Sequence, residues 1–292
     1  MILPIMLLGI VGCHSEKTDS PPNEDTIVED LGESRLEVDV EYSIPPDTSR
    51  TSVITAFSYQ FGSTATSNVT IEFFDQSPPP LETVESTGES GGCSVITTVY
   101  ETSVGSPMFA DAGTIRVSGG QSEVEIMFED GLYGAYASGD SPLFFGGDTL
   151  KFTAAGGKEI PPFSTELRAP DGVVMLSPTF LPGITLKVPR SANLGLRWSG
   201  GLPGSEIRLS LVTNRSSTET VSIACTWPAT AGEASIPKAL LENLATGEGS
   251  LMVKTVTSAV TVVEGWGPVE CEATTPATNS DGVPLDLSIE VE

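Results

Sequence analysis

The chain has 292 residues, with 39 Asp and Glu against 14 Lys and Arg, a formal charge of −25 and a pI near 4.1. That charge repels phosphate backbones and so excludes nucleic acid as a partner, and it disfavours electrostatic docking to anionic lipid. The single histidine, His14, excludes Ser-His and Cys-His triads and histidine-based metal centres in the body that follows.

From Met1 to Gly12 the chain is uncharged and mostly aliphatic. A spanning helix needs ~20 apolar residues, so this run has signal-peptide length instead. Residues 1–12 are expected to be a signal peptide ending in Ile10-Val11-Gly12-Cys13. This tetrapeptide resembles the lipobox of bacterial lipoproteins. The resemblance implies acylation of Cys13, cleavage before it, and a membrane partner held through the acyl anchor. Because two or more acyl chains give stable attachment, Cys13 needs no spanning segment beside it. The position after the cysteine is His14 and not Asp, which within that family implies the bacterial outer membrane.

Residues 14–34 carry seven carboxylates against Lys17 alone, with Pro21 and Pro22 breaking any helix. Too little apolar area is present to offset ordering entropy, and like charges extend the segment. Residues 13–34 are therefore expected to be a lipidated cysteine with a disordered acidic tether.

After residue 34 a period of two begins. Leu36, Val38, Val40 and Tyr42 alternate with Arg35, Glu37, Asp39 and Glu41, which places one face in a core and the other in water. The pattern recurs at 68–73, 124–128, 150–152, 194–198, 207–211, 221–227 and 285–291. Turn residues punctuate it: SPPP at 77–80, GESGG at 88–92, SGG at 118–120, FGGD at 145–148, AAGGK at 154–158 and SGGLPG at 199–204. The expected fold class is all-β, with antiparallel β-sandwich (Ig-like) domains. One short helix is expected at Pro237–Leu244, where proline suits the first turn and Leu240, Leu241 and Leu244 share a face.

About 258 residues after the tether suit two cores better than one. The cut is placed in RAPDG, 168–172, giving one sandwich over 35–168 and a second over 171–292. One body with a shared sheet is the alternative. The stretches GDTLKFTAAGGKEIPPF (147–163) and VSIACTWPATAGEASIPKALLENL (221–244) make the body resemble the many uncharacterised all-β lipoproteins of Gram-negative bacteria, a likeness that carries no activity.

Three cysteines remain. Cys225 shares a face with Val221, Ile223 and Trp227, and Cys271 with Val269 and Ala273. A Cys225–Cys271 bridge is expected, closing a loop of about 46 residues for about 4 kcal/mol on the chain-entropy argument. Cys93 can replace either partner, and two buried free thiols are the alternative. Trp266, in EGWGP between two glycines, is the candidate ligand contact. The competing and favoured reading folds it back over a sandwich edge. Trp198 and Trp227 lie on apolar faces and read as core.

No phosphate-binding loop and no twelve-residue calcium loop is present. No cofactor, no metal and no catalytic residue is assigned. Asp140, Asp148 and Asp171 could form a looser calcium site between loops, but each reads more simply as a turn residue. The expected function is a non-enzymatic, lipid-anchored envelope protein with a binding or structural role, its partner a protein or a glycan. The alternative is a carbohydrate-active enzyme using a carboxylate pair.

Overall fold

A computed structural model of the chain describes residues 51–76, 85–99, 108–134, 136–138, 141–180 and 183–292. The expected signal peptide, Cys13, the acidic tether, the alternating run 36–42, the SPPP turn and Asp140 lie outside the described residues. Within them the fold is all-β, in several sheets, with almost no helix.

In chain order the strands are β1 (Thr51–Phe61), β2 (Thr64–Gln76), β3 (Glu85–Ser90), β4 (Cys93–Val99), β5 (Met108–Phe109), β6 (Ile115–Ser118) and β7 (Val124–Ile126). There follow β8 (Phe128–Glu129), β9 (Leu132–Tyr133), β10 (Tyr136–Ser138), β11 (Thr149–Ala154), β12 (Phe163–Arg168), β13 (Val173–Ser177) and β14 (Leu186–Val188). The last group is β15 (Leu194–Gly200), β16 (Glu206–Asn214), β17 (Glu219–Pro228), β18 (Glu233–Ile236), β19 (Gly247–Val263), β20 (Gly267–Pro276) and β21 (Asp286–Val291). The alternating runs of 68–73, 150–152, 194–198, 207–211 and 221–227 all fall in strands.

Two local expectations change. GESGG does not turn as a whole: its first three residues belong to β3 and only Gly91-Gly92 turns. The helix shrinks to α1 (Lys238–Leu241). Its backbone is capped at the start by Asn193, whose Oδ1 accepts from Lys238 N–H at 2.8 Å. Leu240, Leu241 and Leu244 are buried on one face as their spacing requires.

One twelve-stranded sheet runs β10-β2-β1-β20-β19-β16-β17-β4-β3, with β5, β14 and β21 paired at its sides. Pairing within it is antiparallel except β1 with β20 and β14 with β21. Parallel pairing joins segments far apart in the chain and needs no tight turn between them. A four-stranded sheet, β12-β11-β6-β7, and a three-stranded sheet, β13-β15-β18, provide the second layer.

The registers put both cores on one face of the large sheet. Leu211, Leu209 and Ile207 of β16 face Leu251, Val253 and Thr255 of β19, while Ala259 of β19 faces Cys271 of β20. The first core joins Ile54, Val69, Phe73, Val269, Cys271 and Ala273 of the large sheet to Ile115, Val117, Leu150 and Phe152 of the four-stranded sheet. The second joins Val95, Ile207, Leu209, Ile223 and Leu251 to Val173, Leu196, Trp198 and Ile236 of the three-stranded sheet. Each fully buried Phe, Ile or Leu here contributes roughly 1.5–3 kcal/mol.

The segment 168–172 is where the second layer passes from one core to the other: Leu167 and Ala169 belong to the first, Val173 and Met175 to the second. The large sheet crosses that point in both directions. Cys93 and Val95 of β4 reach forward into the second core, and Val269, Cys271 and Ala273 of β20 reach back into the first.

Candidate functional site

Where the two cores meet, the inner face of the large sheet turns polar. On β19, Val253 belongs to the second core and Ala259 packs on the first, with Thr255 and Thr257 between them. On β20, Ala273 belongs to the first core and Thr275 follows it, before Ala277 of the second. Thr255 and Thr275 are direct cross-strand partners. Threonine suits a strand, and its hydroxyl keeps apolar packing from running through this seam.

A cleft of about 410 Å³ opens at this junction. Its walls include Ser58 and Gln60 of β1, Phe145, Asp171 of the segment between the cores, Thr275 of β20 and Thr278. The Ser58 hydroxyl donates to Phe144 O at 3.0 Å and accepts from Leu143 N at 3.0 Å. These bonds tie Leu143 and Phe144 to β1, next to Phe145. Gly146 is required here by close approach, since a Cβ on it would lie 2.6 Å from Asp171 Oδ1. The Tyr59 hydroxyl, another wall group, donates to Gly282 O.

The junction did not stand out as a site in the sequence, where of its wall residues only Asp171 was considered, and for calcium. Of the three aspartates considered for calcium, Asp171 lies at the cleft. Asp148 instead closes its own turn, with Oδ2 accepting from Phe145 N–H and Gln121 Nε2 at 2.9 Å each. Among the described residues no three His, Cys, Asp or Glu side chains are grouped to hold a metal.

The disulfide differs from the expected Cys225–Cys271 bridge. Cys225 is bonded to Cys93, 132 residues away. The reason is register: β17 pairs with β4 so that Cys225 stands directly opposite Cys93. Cys271 lies in the other core, fully buried and free. Burial, and the charge of Glu270, push its thiol up to about 12. Gly92 delivers Cys93 to its place with φ +79°, and a Cβ there would lie 2.7 Å from Thr226 O. Only glycine suits both demands.

Trp266 is not an exposed ligand platform. It is 6 % exposed, sits in the turn between β19 and β20, and packs in the first core. Its Nε1–H donates to Ser52 Oγ at 2.6 Å. The flanking glycines serve the turn and let the indole fold inward. Trp198 and Trp227 stack in the second core with ring centroids 6.3 Å apart. Their Nε1–H groups donate to Ala229 O at 2.6 Å and Gly91 O at 2.8 Å.

On the outer face of the large sheet, carboxylates and cations gather. Arg208 is paired with Glu272, and lies 3.6 Å from Glu206 and 3.9 Å from Glu270. Glu272 is almost wholly buried. Burial raises the pKa of Glu270 above the usual carboxylate range, and the neighbouring Glu272 raises it further. Arg208 and a hydrogen bond from Ser258 act in the opposite sense. Lys254, cross-strand from Arg208, is lowered by burial.

No protein-family model matches the chain, and no curated protein does.

Proposed function

We propose that this chain is a non-enzymatic, lipid-anchored protein of the bacterial envelope, tethered through Cys13 at the outer membrane. In this reading its body binds a protein or glycan partner through the junction of two β-sandwich halves of Ig-like kind. The observation that carries it is the Cys93–Cys225 disulfide. Bridges of this kind persist in oxidising compartments, and a lipobox-like IVGC run leads to the same compartment.

The competing reading is a glycoside hydrolase using two carboxylates, and neighbouring carboxylates recur among the described residues: Glu123 and Glu125 at Arg116, Glu290 and Glu292 at Lys187, and Glu270 and Glu272 at Arg208. Glu270 and Glu272 lie on one face of β20. Glu272 is almost wholly buried, whereas both carboxyls of a glycosidase pair must reach a scissile bond, ~5 Å or more across. Glu272 is also held by Arg208. The binding reading needs neither group to react.

The test is metabolic labelling with palmitate followed by fractionation of the producing cells. Label at Cys13, loss of residues 1–12 and recovery with the outer membrane are expected, and all three should vanish in Cys13→Ala. Retention of residues 1–12, absence of label and recovery in the cytosol would overturn the proposal.

A further inference from the structure

The cleft over the polar seam has a composition that selects among ligands. Phe145 stands 46 % exposed on its rim as a flat apolar face. Its backbone N–H is held by Asp148 Oδ2, and its neighbours Leu143 and Phe144 are held by Ser58. Asp171 presents a carboxylate that forms no ion pair or hydrogen bond among the described residues. Gln60, whose Nε2 donates to Gly62 O at 3.3 Å, and Thr275 and Thr278 add an amide and two hydroxyls, groups that can both donate and accept. No Lys, Arg or His lines it. With Asp171 at the wall and −25 on the chain, phosphate- or carboxylate-bearing ligands are repelled.

A second observation lies beneath. The Thr255 hydroxyl is fully buried and has no hydrogen-bond partner among the described residues. It is the cross-strand neighbour of Thr275, a wall residue. Buried polar atoms left unsatisfied are uncommon in finished folds, so the seam below the cleft holds unused hydrogen-bonding capacity.

We infer that this cleft is a binding site for a neutral saccharide unit. A pyranose ring offers an apolar C–H face for Phe145 and hydroxyls that both donate and accept. In this site the Asp171 carboxylate would accept from a sugar hydroxyl, and the Gln60 amide and the Thr275 and Thr278 hydroxyls would bond others. The volume of about 410 Å³ falls within the range of small-ligand sites. Ser58 and Gly146 fix the rim before any ligand arrives, which lowers the ordering cost of binding.

The inference rests on the reading of the chain as a binding protein, and not on the tether. The test is calorimetric titration of the purified full chain, in mild detergent, with maltotriose, cellotriose and triacetylchitotriose in turn. Saturable binding to at least one is expected, with Kd near ~1 mM or tighter. Phe145→Ala and Asp171→Asn should each weaken it by about tenfold, the loss of one good contact. Both residues are exposed, so the melting temperatures should stay within about a degree of wild type. Absence of saturable binding to all three at about 10 mM, or binding that both variants leave unchanged, would overturn the inference. A failed titration leaves palmitate labelling at Cys13 as it was, so the two proposals fail separately.

Discussion

The two cores hang from one sheet and are secured by different means. The second carries the covalent link, Cys93 to Cys225, with the Trp198–Trp227 stack on the same side. The first has no disulfide. Its cysteine, Cys271, is a free thiol acting as a small hydrophobe, and its ties are hydrogen bonds. Trp266 reaches Ser52, and the Tyr133 hydroxyl accepts from Ala112 N–H at 2.7 Å while donating to Gly113 O at 3.1 Å. The contrast teaches that a long closure and a set of short polar pins can secure equivalent layers. The first restricts the unfolded chain, and the second acts on the folded state alone.

Breaking the disulfide should give the largest effect. The double variant Cys93→Ala/Cys225→Ala removes the closure of a loop whose ends are 132 residues apart, worth about 4–5 kcal/mol on the chain-entropy argument. Urea unfolding under non-reducing conditions measures it. A loss below about 1 kcal/mol would mean that the unfolded chain keeps these strands together without the bond.

Next come the apolar centres. Phe73→Ala in the first core should cost about 3–5 kcal/mol and Leu211→Ala in the second about 2–5 kcal/mol. Both residues are fully buried. Because β19 serves both cores, the two variants should shift one common transition, followed by fluorescence. Two separate transitions, each moved by one variant, would show that the Thr255–Thr275 seam divides the body into independently unfolding halves.

Trp266→Phe keeps an aromatic ring, smaller than the indole, and removes the hydrogen bond to Ser52. A loss of about 1–2 kcal/mol is expected in thermal unfolding, and a neutral result would show that Ser52 finds another partner.

The smallest effect is a slope. The folded-state pKa of Glu270 is raised above its ordinary 4.5, so the folded chain holds that proton more tightly than the unfolded one. Its contribution is present below pH 4.5 and is lost as pH rises through the folded value. Stability measured across that rise should fall less steeply in Glu270→Gln. Glu72, raised by burial as well, keeps part of the slope. An unchanged slope would mean that Glu270 does not titrate differently on folding.

Strands with one clean apolar parity were readable from the chain: Val221, Ile223, Cys225 and Trp227 point inward as their spacing requires. Strand β1 was not, because both parities carry apolar residues. The larger set, Val53, Phe57 and Tyr59, faces outward, and Ile54, Ala56 and Ser58 face the core. Strand β19 hides in the same way. Its inner Leu251 and Val253 compete with Val256, Val260 and Val262 on the outer face, of which only Val256 is buried. In both, a period-two reading has no preferred face to choose.

The sequence by itself determined that the body would be built of strands and that a short leucine-faced helix would follow Pro237. Those features depend on local spacing, backbone freedom and punctuation, which neighbours in the chain supply. Tertiary structure alone decided that Cys225 would meet Cys93 and that Asp171 would share a cleft with Phe145 and Thr275. These outcomes depend on which distant strands pair and in what register, a choice made by the summed packing of two cores against one sheet.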